Sequence, residues 1–429
     1  MQRKSDRFKR NYILLMLEGA CFMGGIGFFS SSTVIPVFID MMTHSKQMVG
    51  LTITLGSFLT LFCRIAIGPF VSHIKNHARF STWIMFLSRP LTLIPALFLF
   101  TGQDALALLS LVLSYSILWA TDGLLVPTYS EVLANTVDED WHGRLLGTQV
   151  LLGGMASIGA GALINVFLRT PALDMRIAFA WIFLLGGLLM ALSCFIMAFT
   201  ENSEQPYETG KVDWIKYYKK LPRYITIEKD VARVMILQLI LMFSSMCLPF
   251  IILFASESLA VAGGRSANLI LIQLVGVPVG GWFWGQVCDR LGCVTGLKLA
   301  AGNFFLVGLL PLLALAIGGN PMFILIPTMF LGGISGGVWT CYYIYTVQAA
   351  RPESRSICLV LSSLVTLPGT FASYLAGFIS DKIGYAPLFS TCSVIALLGL
   401  VFSFSIRQVG VVVKERTRAD KAQTVQDAV

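Results

Sequence analysis

Apolar residues run along this chain in stretches of about 20 to 28, separated by short polar breaks. The stretches fall at 12–40, 48–72, 80–100, 105–135, 145–168, 176–200, 232–258, 266–288, 297–318, 321–349, 356–380 and 385–406. Each is long enough to cross a hydrocarbon core about 30 Å thick at about 1.5 Å per residue. Lipid offers backbone N–H and C=O groups no partner, so every stretch must satisfy them internally as a helix. The pattern predicts an all-α membrane protein of twelve transmembrane helices. The first stretch is too long for a cleavable signal peptide, and no small-residue cleavage site follows it.

Polar segments divide the pattern into residues 1–200 with six stretches, a linker at 201–231, residues 232–406 with six more, and a tail at 407–429. The linker carries an amphipathic run, WIKYYKKL, that suits a short helix on the membrane surface. The tail is polar enough to be expected disordered. The two halves also repeat. A shift of 213 residues brings Ser31, Ser32, Pro36, Ile39, Gly50, Gly68 and Phe70 onto Ser244, Ser245, Pro249, Ile252, Gly263, Gly281 and Phe283. Shared Pro and Gly mark bends and close backbone approaches, and paired halves are a signature of secondary transporters.

Composition agrees with lipid: 56% of the 429 residues are hydrophobic and 13% charged, about half the charged share of a soluble domain. Charge sets the orientation. With both termini cytoplasmic, inner segments hold 23 Lys and Arg, whereas outer loops hold only Lys46, Arg169, Arg176, Arg265 and Lys382. The net charge of +8 is thus mostly topogenic, with some attraction to anionic lipid, and no basic soluble face exists to bind nucleic acid. The nine cysteines form no close pair, so they are read as packing residues rather than disulfide or zinc ligands. No Walker loop, nucleophile elbow or paired carboxylates for hydrolysis occur. Neither an enzyme nor a cofactor is indicated, and uphill transport would need an ion gradient.

Several motifs resemble the major facilitator superfamily. Gly285-x-x-x-Asp289-Arg290-x-Gly292 is similar to its loop signature between the second and third helices of a half. DEDWHGR ending at Arg144, RPESR ending at Arg355, and GFISDKIGYAPLF at 377–389 match further landmarks, and Arg64-x-x-x-Gly68 resembles the second helix of efflux-type members. The resemblance spans essentially the whole chain and implies two pseudo-symmetric six-helix bundles with a central cavity. The first-half copy of the loop signature reads Ser72, Asn76, His77, Arg79, without the acid, and the fifth helix lacks the proline of drug/proton antiporters.

Charges within the stretches are costly and mark candidate sites. The resemblance puts the first and fourth helices on the cavity, which makes Glu18 and Asp122 the proton-coupling candidates. Arg64 and Arg89 are their counter-charges, and a fixed ion pair is the competing reading. Arg89 precedes Pro90 on a helix that the resemblance places outside, so a structural or snorkelling role is expected of it. Gln149, Gln238, Gln273, Trp339, Tyr342 and Tyr343 are candidates for the substrate cavity, and the run GGISGGVWTCYYIY predicts a close-packed tenth helix. Asn165 and Tyr345 are further polar positions within the spans, and packing or interfacial placement competes for each aromatic. Gly285, Asp289, Arg290, Gly292, Arg144 and Arg355 form a candidate cytoplasmic gate, with Asp289 latching two helices. The four histidines (44, 73, 77 and 142) are expected in loops, where they make poor relays and poor metal ligands.

The function so implied is secondary transport of a small organic molecule across the cytoplasmic membrane by alternating access. Proton-coupled export by a monomer, as an antiporter, is the first expectation. Uptake by symport or uniport is the alternative, and a receptor, scaffold or lipid flippase on the same bundle is the reading from another class.

Overall fold

The computed structural model describes residues 2–137, 139–201, 207, 214–258, 263–317, 321–351 and 354–414. Twelve described helices are long and apolar enough to cross a membrane. In chain order they are α1 (Phe8–Phe28), α2 (Lys46–His73), α3 (His77–Phe100), α4 (Asp104–Leu133), α5 (Arg144–Arg169) and α6 (Met175–Ala198) in the first half. The second half has α7 (Lys229–Glu257), α8 (Ala267–Leu291), α9 (Cys293–Ile317), α10 (Met322–Ala349), α11 (Ile357–Lys382) and α12 (Tyr385–Ser403). The start of α1, the linker helix Trp214–Ile227 and the end of α12 lie at one end of the bundles, the terminus end; the opposite end is the far end.

The first stretch departs from expectation. It is not one rod over 12–40: α1 stops at Phe28, a turn follows, and a separate helix runs Val34–Thr43. The same interruption recurs in the repeat, where α7 tightens to a 3₁₀ turn at Ser245–Cys247 before resuming at Leu248. Ser30, Ser32 and Thr33 bond to one another across the first break, so local hydroxyls replace helix partners there. Pro36 and Pro249 then sit in the opening turn of the resumed helix, where a missing N–H costs nothing. Linker residues 202–206 and 208–213 and the tail from 415 lie outside the described residues, but the surface helix forms at Trp214–Ile227.

Two of the histidine expectations need correcting. His77 begins α3 and is 6% exposed, packed where Asn76 caps the helix by accepting from the Arg79 N–H at 2.9 Å. His142 falls within the helix Glu139–Arg169.

The buried core shows how the halves meet. One apolar cluster contains Phe38, Phe179 and Phe183 from the first half together with Phe250, Phe254 and Phe389 from the second, all towards the far end. Towards the terminus end the core divides. Leu15, Met85, Val132, Leu145 and Met197 form one cluster in the first half, while Leu237, Trp284, Leu297, Tyr345 and Leu361 form another in the second. The buried clusters of the halves thus merge towards the far end and stay distinct towards the terminus end, where the halves still approach each other at Gly68 and Val360. Hydrogen bonds follow the same division. At the far end Lys46 Nζ meets Glu257 at 2.8 Å, and the Asp381 carboxylate accepts from the backbone N–H groups of Lys46 and Gln47, capping α2. Gln47 donates to the Tyr374 hydroxyl at 2.6 Å, and Asn165 donates to Asn268 at 2.7 Å. Backbones touch where Gly50 faces Ser373 and Gly377 faces Lys46; a Cβ at either position would strike a carbonyl oxygen.

Candidate functional site

Three groups of candidate residues occupy three different environments. The first lies inside the first half. Glu18 is 2% exposed and Arg89 3%, with Arg89 Nη1 to Glu18 Oε1 at 2.8 Å. Arg89 therefore does not snorkel; α3 bends through a 3₁₀ turn at Arg89–Leu93, and the guanidinium points inward over the Phe22 ring at 4.3 Å. Arg89 Nη1 also donates to the Ser193 hydroxyl, and Tyr129 Oη donates to Glu18 Oε2 at 3.1 Å. Gln149, expected in the cavity, is instead tied into this network. Its Nε2 donates to the Leu15 carbonyl at 2.6 Å and to Tyr129 Oη at 2.9 Å. Five helices are thereby joined around one buried ion pair.

The second group is at the boundary between halves. A cavity of about 240 Å³ opens among Ser31, Ser57, Thr60, Leu61, Tyr115, Trp119, Gln238, Met242, Thr366 and Thr370. These residues come from both halves: the α1 break, α2 and α4 on one side, α7 and α11 on the other. Only uncharged groups line it. Gln238 Oε1 accepts from Ser362 Oγ at 2.9 Å. Thr60 Oγ1 donates to the Trp119 carbonyl at 3.0 Å, drawing α2 and α4 together, and Trp119 Nε1 is buried without a partner. One turn towards the terminus end on these two helices stand Arg64 and Asp122. Asp122 feels the charge of Arg64 before those of Arg89 and Glu18, yet it forms no hydrogen bond or ion pair within 4 Å among the described residues. Arg64 Nε is buried and equally without a partner. The carboxylate and guanidinium influence one another's charge without being joined.

The other cavity candidates divide. Gln273 is buried and donates to the Ser32 hydroxyl across the halves, leaving its Oε1 without a partner. Trp339 is 63% exposed and Tyr343 48%, ring against ring at 6.3 Å. They project from the side of α10 opposite Cys341, which packs on Gly296 of α9, so this aromatic pair points away from α9. Tyr342 is half-buried, and Tyr345 is fully buried with its hydroxyl on the Arg407 carbonyl at 2.9 Å. The glycine run does pack closely: Gly333 and Gly337 abut Gly276 and Gly280 of α8.

The third group is the gate motif at the terminus end. Gly292 ends the eighth helix with φ +85°, a conformation that glycine adopts without strain. Asp289 and Arg290 are exposed, and neither forms a bond or ion pair among the described residues. No neighbouring helix receives Asp289 among the described residues, so the expected latch contact is not formed here. Gly285 has open space around it, Arg144 stacks over Trp141 at 5.0 Å, and Arg355 is exposed. Residues that sequence reasoning missed do bond here. Arg407 forks onto Asp230 at 2.7 and 2.9 Å with Arg233 on the same carboxylate, and Glu228 accepts from Ser354 Oγ at 2.7 Å. Tyr218 of the linker helix donates to the Ile65 carbonyl at 2.8 Å.

No family model matches the chain, and no curated protein matches its sequence. Its shape is shared widely among solved structures. A D-xylose-proton symporter aligns with TM-score 0.69 at 11% identity, covering 93% of this chain and 98% of that one. A POT family transporter in complex with a thioalcohol-conjugated peptide aligns at 0.68 and 12%, covering 92% and 96%. A bacterial homologue of the iron transporter ferroportin aligns at 0.65 in its inward-facing state and 0.60 in its outward-facing state, at 12% identity over 92% and 98% in both. These neighbours are described as transporters, and the chain shares their fold: twelve helices in two pseudo-symmetric bundles.

Proposed function

We propose that the chain is a proton-coupled secondary transporter of a small organic molecule, working by alternating access in the cytoplasmic membrane with both termini inside. One observation carries this reading: the buried cores of the halves merge towards the far end and stay distinct towards the terminus end, leaving a boundary cavity that can be served from each side in turn. With the termini inside, the conformation described is inward-facing. The charge asymmetry between segments supports that orientation.

Asp122 is the coupling residue in this scheme. It has an acid's capacity to take a proton, a place on the cavity helices and no bonded partner, whereas Glu18 is held by Arg89 and Tyr129. Gradient-driven uptake or release in proteoliposomes tests the proposal. Asp122→Asn should lose acceleration by a proton gradient while retaining exchange of substrate across the membrane. Flux in the variant that still follows the gradient would reject the coupling role, and no flux of any solute in wild type would reject transport.

A further inference from the structure

The free polar groups around the boundary cavity have a common character. Arg64 Nε, one turn below the cavity lining, and Trp119 Nε1, in the lining beside Tyr115, are buried without a well-aligned partner, and both are donors that cannot accept. The amide oxygen of Gln238, a cavity-lining residue, is already engaged by Ser362, which leaves its NH₂ as the donor. Thr366 and Thr370 spend their hydroxyl protons on helix carbonyls of Ser362 and Leu367. A buried donor left unpaired costs about 1–3 kcal/mol, and more for a charged group. A site whose orphans are donors is complete only when a ligand brings acceptors.

Resting on the transport reading above, we propose that the substrate is a small organic anion: a carboxylate seated on Arg64, with a second acceptor on the Trp119 N–H. The apolar body lies in the uncharged chamber beside Leu61, Tyr115 and Met242. The volume, about 240 Å³, equals that of roughly eight waters, so the anion is compact. Asp122 explains how the site discriminates. Ionised, it competes with the substrate for Arg64 and would leave an uncompensated negative charge once the anion entered; protonated, it does neither. The groups facing Asp122 are Arg64 from α2, Glu18 from α1 and Arg89 from α3, and the last two neutralise each other as an ion pair. One proton therefore enters with one anion. That coupling is symport, and it favours uptake over the export expected from the Arg64-x-x-x-Gly68 resemblance.

The test is binding to the purified full-length protein in detergent, separate from flux. Monocarboxylates of two to eight carbons, each with its matched amide and amine, are compared by thermal shift at pH 5.5 and 7.5. At least one acid should raise the melting temperature where its amide and amine do not, and more at pH 5.5. Arg64→Gln should weaken that acid at least about tenfold, and Trp119→Phe, which keeps the ring and removes the N–H, should weaken it measurably without changing the unliganded melting temperature. An amine or amide that outperforms every acid, an acid shift that survives Arg64→Gln, or a panel with no acid response overturns the proposal. Acid binding without flux in proteoliposomes would sink the transport reading and leave the anion site standing.

Discussion

At the scale of single residues, four intramembrane charges resolve into two pairs of opposite kinds. Glu18 and Arg89 are joined and wrapped by Tyr129, Gln149 and Ser193; Arg64 and Asp122 are close but unjoined. Removing one member of a buried ion pair strands the other, at a cost of about 3–5 kcal/mol. Arg89→Gln and Glu18→Gln should each lower the melting temperature steeply, and the double variant should recover part of the loss, as read by thermal unfolding. Asp122→Asn should unfold as wild type does, since no hydrogen bond is lost. The charges themselves were legible in the sequence because such residues are rare in lipid-spanning stretches. Their partners were not, because pairing depends on which way α3 turns at Arg89-Pro90, and only the 3₁₀ bend reveals that.

At the scale of elements, the twelve stretches appeared in the apolar pattern with edges displaced by a few residues, since chain length and hydropathy alone decide them. The α1 interruption escaped notice because apolar residues on both sides of Ser30 to Thr33 continue the run, although that Ser-Ser-Ser-Thr cluster was its signal. Trp119, Thr60 and Tyr115 were likewise overlooked as cavity residues, even though Trp119 and Asp122 share the i, i+3 spacing that puts them on one helix face. The α2–α4 contact beneath the cavity relies on Gly123, where a Cβ would strike the Thr60 carbonyl. Gly123→Ala should destabilise by about 1–3 kcal/mol through overpacking and widen the Arg64–Asp122 separation. Reduced thermal stability together with weakened ligand response is the expected measurement.

At the scale of the whole molecule, the bonds between halves are concentrated at the far end, and one of the groups there titrates. Burial, followed by the neighbouring Glu257 carboxylate, holds the Asp40 carboxyl above its ordinary range, despite Lys46 and His44. A folded-state value above the reference means that the proton is held more tightly in the folded protein than in the free chain. The stabilisation is full below the ordinary carboxylate range near pH 4 and is lost as pH rises through the elevated value. The far end should therefore loosen with rising pH across that window. Thiol labelling of a cysteine introduced at Thr54 should speed up accordingly, and Asp40→Asn should flatten the dependence.

The idle charges of the gate motif carry a consequence for energetics. Lys46, Gln47 and Asn165 are bonded across the halves while Asp289, Arg290 and Arg355 stand in solvent. Each far-end bond is worth about 0.5–1.5 kcal/mol net, so rupturing all of them unaided would stall the cycle. A see-saw whose lowered arm is fastened needs hooks waiting beneath the raised one. Neutralising Asp289 would then leave the protein resting with its terminus-side mouth agape, able to load cargo but slow to swing over.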